Sequence, residues 1–209
     1  MPYSDFTLLS AEHAFALRRT EMRTLFVDIP PCAPTPWLEH ALAEGVPLAM
    51  ALNTEKARSE FLIAPVLLDV RRLFPGQASL FSGVLFDVDP ARGLTGYADF
   101  LLSRSGSQLV LTAPVVVVVE AKNDNLSSGL GQCLATMVAA RCFNTRAQTG
   151  VTTILGTVTT GIRWQFLRLD GDDVAIEMRE YDVEHDVTLI LGILARQSAS
   201  AATVGGPAV

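Results

Sequence analysis

The stretch "VVVVVEAKND", Val115–Asp124, decides the fold. Five consecutive β-branched residues favour a pleated, packed strand, and a run without polar interruption predicts one covered on both faces. Such a strand belongs in the middle of a sheet. Its far end, however, is charged. Side chains two apart on a strand share a face, so Glu120 and Lys122 project together while Ala121 turns the other way. The lysine is informative in itself: of 16 basic residues, only Lys56 and Lys122 are lysine. A compact amine with rotatable donors does a different job from arginine's planar fork.

Upstream, "SLFSGVLFDVD" and "TGYADFLLSR" alternate like strands, which makes the valine segment the third of three. Before them, "NTEKARSEFLIAPVLLDVRRLFPG" reads as a helix with Asn53 or Thr54 as N-cap and Glu55 in the first turn. Pro65 either kinks it or starts a second helix. Downstream, "SSGLGQCLATMVAARCFN" returns to helical spacing, with Leu130, Leu134, Met137 and Val138 in one stripe. "TTILGTVTTGIRWQFLRLD" and "VAIEMREYDV" read as a two-stranded hairpin turning at "DGDD", and "DVTLILGILARQ" as a terminal helix. The N-terminal part is expected to hold an amphipathic helix from about Ser10 to Leu25, a proline-rich loop, and a short helix from Pro36 that Gly45 ends. The expected class is α/β, a three-layer core whose central mixed sheet is flanked by helices. Residues 1–52 form a helical extension packed on that core, 53–197 the core, and 198–209 a patternless tail.

Composition narrows the function. At 49% hydrophobic residues and a mean hydropathy of +0.33, the 209-residue chain has ample material for a core and is not disordered. The valine run stops well short of the roughly 20 apolar residues that span a bilayer. The opening "MPYSDFTLLSAEHAFALRRT" places its arginines after its apolar positions, the reverse of a secretory signal. Three cysteines cannot all pair within one chain, so a reducing cytoplasm is expected, with no membrane partner. A net charge of −6 argues against a broad basic surface, so any contact with nucleic acid must be local, bridged by metal, or made by a partner.

The strand before the valine run carries one acid, Asp99, within "GYADFLL". If the two strands pair, their axes lie about 4.8 Å apart and Asp99 and Glu120 aim carboxylates at one point. Two such carboxylates repel unless a cation sits between them. Hard oxygen ligands with positions left open suit Mg²⁺ or Mn²⁺. An ammonium at the same point orients an attacking water or stabilises charge developing on a phosphate. This is chemistry for hydrolysing a phosphodiester.

On these residues, "TGYADFLL" followed by "VVVVVEAKN" resembles the signature of the PD-(D/E)xK nuclease superfamily, the restriction-endonuclease-like fold, over about residues 53–160. The resemblance implies that Asp99 and Glu120, with the Ala121 backbone carbonyl, bind Mg²⁺ or Mn²⁺, and that Lys122 is the signature lysine. It also implies a supporting acid on the preceding helix, matched by Glu60, and a glutamine on the following helix, matched by Gln132. Position 98 is alanine rather than the proline of the motif. The implied function is metal-dependent hydrolysis of nucleic acid, endonuclease-like and with DNA as substrate. A homodimer, or a protein partner supplying DNA recognition, is compatible with it. The alternative is a catalytically silent or partner-dependent module on the same fold, which the acidic surface favours.

Other features carry less. The pairs Glu12–His13, Glu39–His40 and Glu184–His185 lack zinc spacing, and "SSGLG" does not frame a serine as a nucleophile elbow. Trp37, Trp164 and Tyr97 are candidates for base stacking, with core packing the default. Arg71, Arg72, Arg141 and Arg146 are candidates for a phosphate-contacting patch.

Overall fold

The structure, a computed structural model, describes residues 2–199. Of the expected tail 198–209, positions 200–209 lie outside the described residues. The chain runs α1 (Leu8–Phe15), β1 (Arg18–Met22), α2 (Pro36–Leu52), α3 (Glu55–Arg58), a π-helical turn (Ser59–Ile63), α4 (Ala64–Arg72), β2 (Ser79–Leu85), β3 (Tyr97–Ser103), β4 (Val115–Ala121), α5 (Leu130–Arg146), β5 (Thr153–Thr159), β6 (Arg163–Asp170), β7 (Asp173–Asp182) and α6 (Val183–Ser198). The fold is α/β, a mixed seven-stranded sheet between helical layers, in the order β1-β7-β6-β5-β4-β3-β2.

The valine strand, β4, is central, and all seven of its residues are buried. It pairs antiparallel with β3 and parallel with β5, α5 making the crossover. Val118 packs on the side where α5 contributes Leu134, Met137 and Val138, together with Phe6, Ala11 and Phe15 from the N-terminal segment. Val117 and Val119 pack on the other side, against Ile63, Val66, Leu67 and Val70 of the α3–α4 region and Ile190 and Leu194 of α6. An uninterrupted apolar strand is thus explained by two cores, one per face.

Four expectations need correction. The N-terminal helix ends at Phe15, because Ala16 takes a left-handed conformation (φ 52°) as its C-cap. The chain then enters β1, an edge strand parallel to β7, so the N-terminal segment adds a strand to the sheet and is not purely helical. The helix from Pro36 continues through Gly45 and Pro47 to Leu52. Gly45 lies where a Cβ would come within 2.5 Å of the Phe61 carbonyl oxygen, so its smallness serves close helix approach rather than termination. That carbonyl is the one a residue at 65 would ordinarily bond, and Pro65 has no N–H to offer. The chain resolves the conflict with the π turn before Pro65, where the Ala64 N–H reaches back to the Ser59 carbonyl. Finally, "TTILGTVTTGIRWQFLRLD" is two strands, β5 and β6, turning at Gly161 (φ 82°), so the hairpin becomes a three-stranded meander.

Candidate active site

The β3–β4 register pairs Phe100 with Val119 and Leu101 with Val118. One step further it sets Asp99 across from Glu120. Asp99 Oδ2 accepts the Ala121 N–H at 2.8 Å, which locks the carboxylate over the end of β4. Glu120 is 2% exposed, and its Oε1 accepts from Lys122 Nζ at 2.6 Å. The Lys122 amine lies 3.4 Å from Gln132 Oε1 on the first turn of α5. The structure therefore brings Asp99, Glu120, Lys122 and Gln132 together. Of Ala121, it is the N–H that is tied to Asp99; the carbonyl has no assigned partner in the group.

Glu60 is not in this group. It makes an exposed ion pair with Lys56 at 2.7 Å, the i,i+4 partner on its own helix. The acid that acts on the cluster is Glu55, one turn earlier, whose charge is felt by both Glu120 and Lys122. Five residues along a helix is about 140° around its axis, so the two acids cannot face the same way. Thr54, which accepts from the Ala57 N–H as N-cap, starts the helix so that Glu55 is its first residue. The sequence held that cue, since the cap and the first-turn acid were both legible.

Electrostatics follow from burial. Burial, with the nearby Asp99 charge adding to it, pushes the Glu120 carboxyl from its ordinary 4.5 up to about 8, against the opposing pull of Lys122. Burial likewise raises Asp99, opposed by the Ala121 N–H and by Lys122. Glu55 is exposed as a residue, yet partial burial of its carboxyl, with Asp99 adding, outweighs Lys122 and raises it. For Lys122 burial pulls the amine down, but Glu120, Glu55 and Asp99 together outweigh that and raise it. A buried acid, Glu120, and a half-buried one, Asp99, thus flank one amine, and a third acid, Glu55, acts on Glu120 and Lys122 through its charge.

Gly129, just ahead of α5, makes room for the lysine. A Cβ there would stand 2.7 Å from Val158 Cγ1 and 3.1 Å from both Lys122 Cγ and Cε. Gly129→Ala is expected to cost about 1–3 kcal/mol through overpacking and to push the amine off Glu120. A shifted urea midpoint, together with a changed Lys122 side-chain NMR signal, checks this; an unchanged signal would show that the pocket yields elsewhere.

Among the described residues no group of three or more His, Cys, Asp and Glu side chains is gathered closely enough to enclose a metal ion. Three of the four arginine candidates are engaged within the chain, and the buried Nε of the fourth, Arg71, has no hydrogen-bond partner among the described residues. Arg141 donates to the Gly171 carbonyl and to Asp172, Arg146 to the Val88 carbonyl, and Arg72 stacks over Trp37 and reaches Asp69. Trp164 is fully buried, whereas Tyr97, two residues from Asp99 on β3, is 67% exposed. Among the described residues no helix is long and apolar enough to cross a membrane. No family model, no curated protein and no solved structure matches this chain.

Proposed function

We propose that the protein is a metal-dependent phosphodiesterase of PD-(D/E)xK type, an endonuclease-like hydrolase of nucleic acid, with DNA as its substrate. One observation carries the reading: an otherwise apolar central strand ends in a buried glutamate set opposite an aspartate, with a lysine amine 2.6 Å from the glutamate. A surface ion pair would not need burying, and burying one usually costs stability. The donor set fits a hard divalent cation, which is commonly held by one or two carboxylates together with waters and substrate phosphate. Asp99 and Glu120, with the Ala121 carbonyl, would hold Mg²⁺ or Mn²⁺. When bound, the cation supplies Lewis-acid polarisation of a phosphoryl oxygen and activation of water.

The chain's own groups do the rest. Lys122 positions the attacking water and stabilises negative charge developing on the phosphate. Gln132 Oε1 limits where the amine can point, and Glu55 adds a third negative charge that favours cation entry. Tyr97 offers a stacking face beside Asp99, where base–aromatic contacts are worth about 1–3 kcal/mol per base. A reducing cytoplasm suits the three free thiols.

The test is cleavage of plasmid and single-stranded DNA with Mg²⁺ or Mn²⁺, run beside thermal denaturation. The expected result is metal-dependent cleavage and a higher Tm, stabilisation reaching about 2.7 kcal/mol at 100 times the Kd. Inactivity across substrates, with a Tm indifferent to metal, would overturn the reading. The engagement of Arg72, Arg141 and Arg146 within the chain favours a second reading, in which a partner supplies DNA recognition. Such a module binds Mn²⁺ through the same carboxylates but cleaves only in the complex, while a silent module is indifferent to metal and to Asp99→Asn.

A further inference from the structure

Arg58 is 4% exposed, and its guanidinium is enclosed by groups from three segments. Nε donates to Asn123 Oδ1 at 3.1 Å, Nη1 to the Thr160 carbonyl at 3.3 Å, and Nη2 to Asn53 Oδ1 at 3.1 Å. Nη1 also lies 3.5 Å from Met50 Sδ. Its one acidic neighbour among the described residues, Asp124, stands 3.9 Å away with a side chain 74% exposed. Burying a cation costs several kcal/mol unless it is closely paired, and here the close partners are neutral acceptors. Stability alone does not account for an arginine in that place.

What its partners share is Lys122. Asn123 follows the lysine directly, and Thr160 follows Thr159, whose carbonyl accepts the Lys122 N–H at 2.9 Å. Arg58 therefore grips the two strand exits, β4 and β5, between which the lysine backbone is held. It does so from α3, the same four-residue turn that begins with Glu55. Residues i and i+3 lie on one side of a helix, so a single turn presents an acid to the cluster and a clamp to the loop behind it. Asn53, the αL C-cap of α2 (φ 48°), fixes the guanidinium from the third direction.

We infer that Arg58 is a positioning residue: by bridging Asn123, Thr160 and Asn53 it holds Lys122 in register with Glu120 and Gln132. The geometric part stands on contacts alone; its consequence for turnover rests on the hydrolase reading above. Lysine in its place has the charge but not the fork, and cannot reach three acceptors in one plane.

Because Lys56 and Lys122 are the only lysines, selective ¹³C-lysine labelling gives two ε-methylene signals, one from the exposed Lys56 and one from the site. In the full-length wild type the Lys122 ε-protons should be inequivalent. In Arg58→Met they should collapse toward equivalence, with Mn²⁺ affinity changed less than about threefold and kcat down about 10- to 100-fold; Arg58→Lys, which adds a third lysine signal, is read by kcat and should show the same loss. Asn123→Ala, which deletes one acceptor and leaves the arginine, should give the same collapse in part, and it serves if the arginine variants do not fold. Folded variants whose Lys122 signal is unchanged, or a kcat restored by lysine at 58, overturn the inference. If the wild type proves inactive, the hydrolase reading fails, yet the NMR comparison still decides whether Arg58 places Lys122.

Discussion

Glu120→Gln should yield a protein that is inactive and, above pH 7, more stable than the wild type. The wild-type carboxyl is held near 8, against an ordinary 4.5, first by burial and then by Asp99. Between those two values the folded chain keeps a proton that the unfolded chain releases. Stability is therefore fully present below about pH 4.5 and falls as the pH rises through the folded value. At about 1.4 kcal/mol per pK unit, the loss between pH 5 and pH 8.5 is on the order of 4 kcal/mol. Glutamine keeps the shape and cannot ionise, so its stability should be nearly flat across that window. Urea unfolding at pH 5 and pH 8.5 separates the two proteins. Equal slopes against pH would mean that Glu120 ionises freely, which its burial does not permit. Cleavage should fall on the order of 10³-fold, since a neutral amide offers the cation and the lysine amine an oxygen without the negative charge that holds them.

Lys122→Met should abolish turnover while sparing metal binding. Methionine approximates the lysine stem and removes only the charge and donors. Breaking a buried pair ordinarily costs about 3–5 kcal/mol. Here Glu120 already leans toward its neutral form, so protonation relieves much of that, leaving about 1–3 kcal/mol at pH 6. The deficit should grow as the pH rises, because the remaining carboxylates have lost the cation that opposed their upward shift. Mn²⁺ affinity, by contrast, should hold or improve, since a competing positive charge 2.6 Å from Glu120 is gone. Single-turnover cleavage should drop about 10²–10⁴-fold, the range for loss of a group that moves or positions a proton. Calorimetric titration with Mn²⁺ beside a cleavage assay reads both. Joint loss of binding and activity would make Lys122 a structural support for the carboxylates instead.

How much of this was legible in the sequence depended on whether one local rule governed each segment. The valine strand obeyed a single rule, continuous burial, and it lies where that rule puts it. Asp99 stood out because an acid interrupted an apolar strand one β-connection away. β1 could not be seen: all five residues of "RRTEM" are exposed, so no burial pattern marks them, and only backbone pairing to β7 makes them a strand. The roles of Gly45 and Gly161 are hidden from local sequence for a related reason. One signals an interhelical approach and the other a turn, and which of these a glycine serves depends on partners distant in sequence. By local signal Glu55 is a helix-start residue, and by the resemblance Glu60 is the supporting acid of the preceding helix. Helix phase distinguishes them, and it was set by the Thr54 cap. Arg58 had no local signal at all, because its three acceptors come from residues 53, 123 and 160.

Crystals grown without metal and soaked in Mn²⁺ at pH 8 address the central claim most directly, through anomalous scattering at the manganese edge. The result expected is a peak in contact with both the Asp99 and Glu120 carboxylates, with the Lys122 amine displaced from Glu120 Oε1 toward Gln132. A map without manganese at those carboxylates, at concentrations that saturate exposed acids elsewhere on the surface, and with the Glu120–Lys122 contact intact, would contradict it.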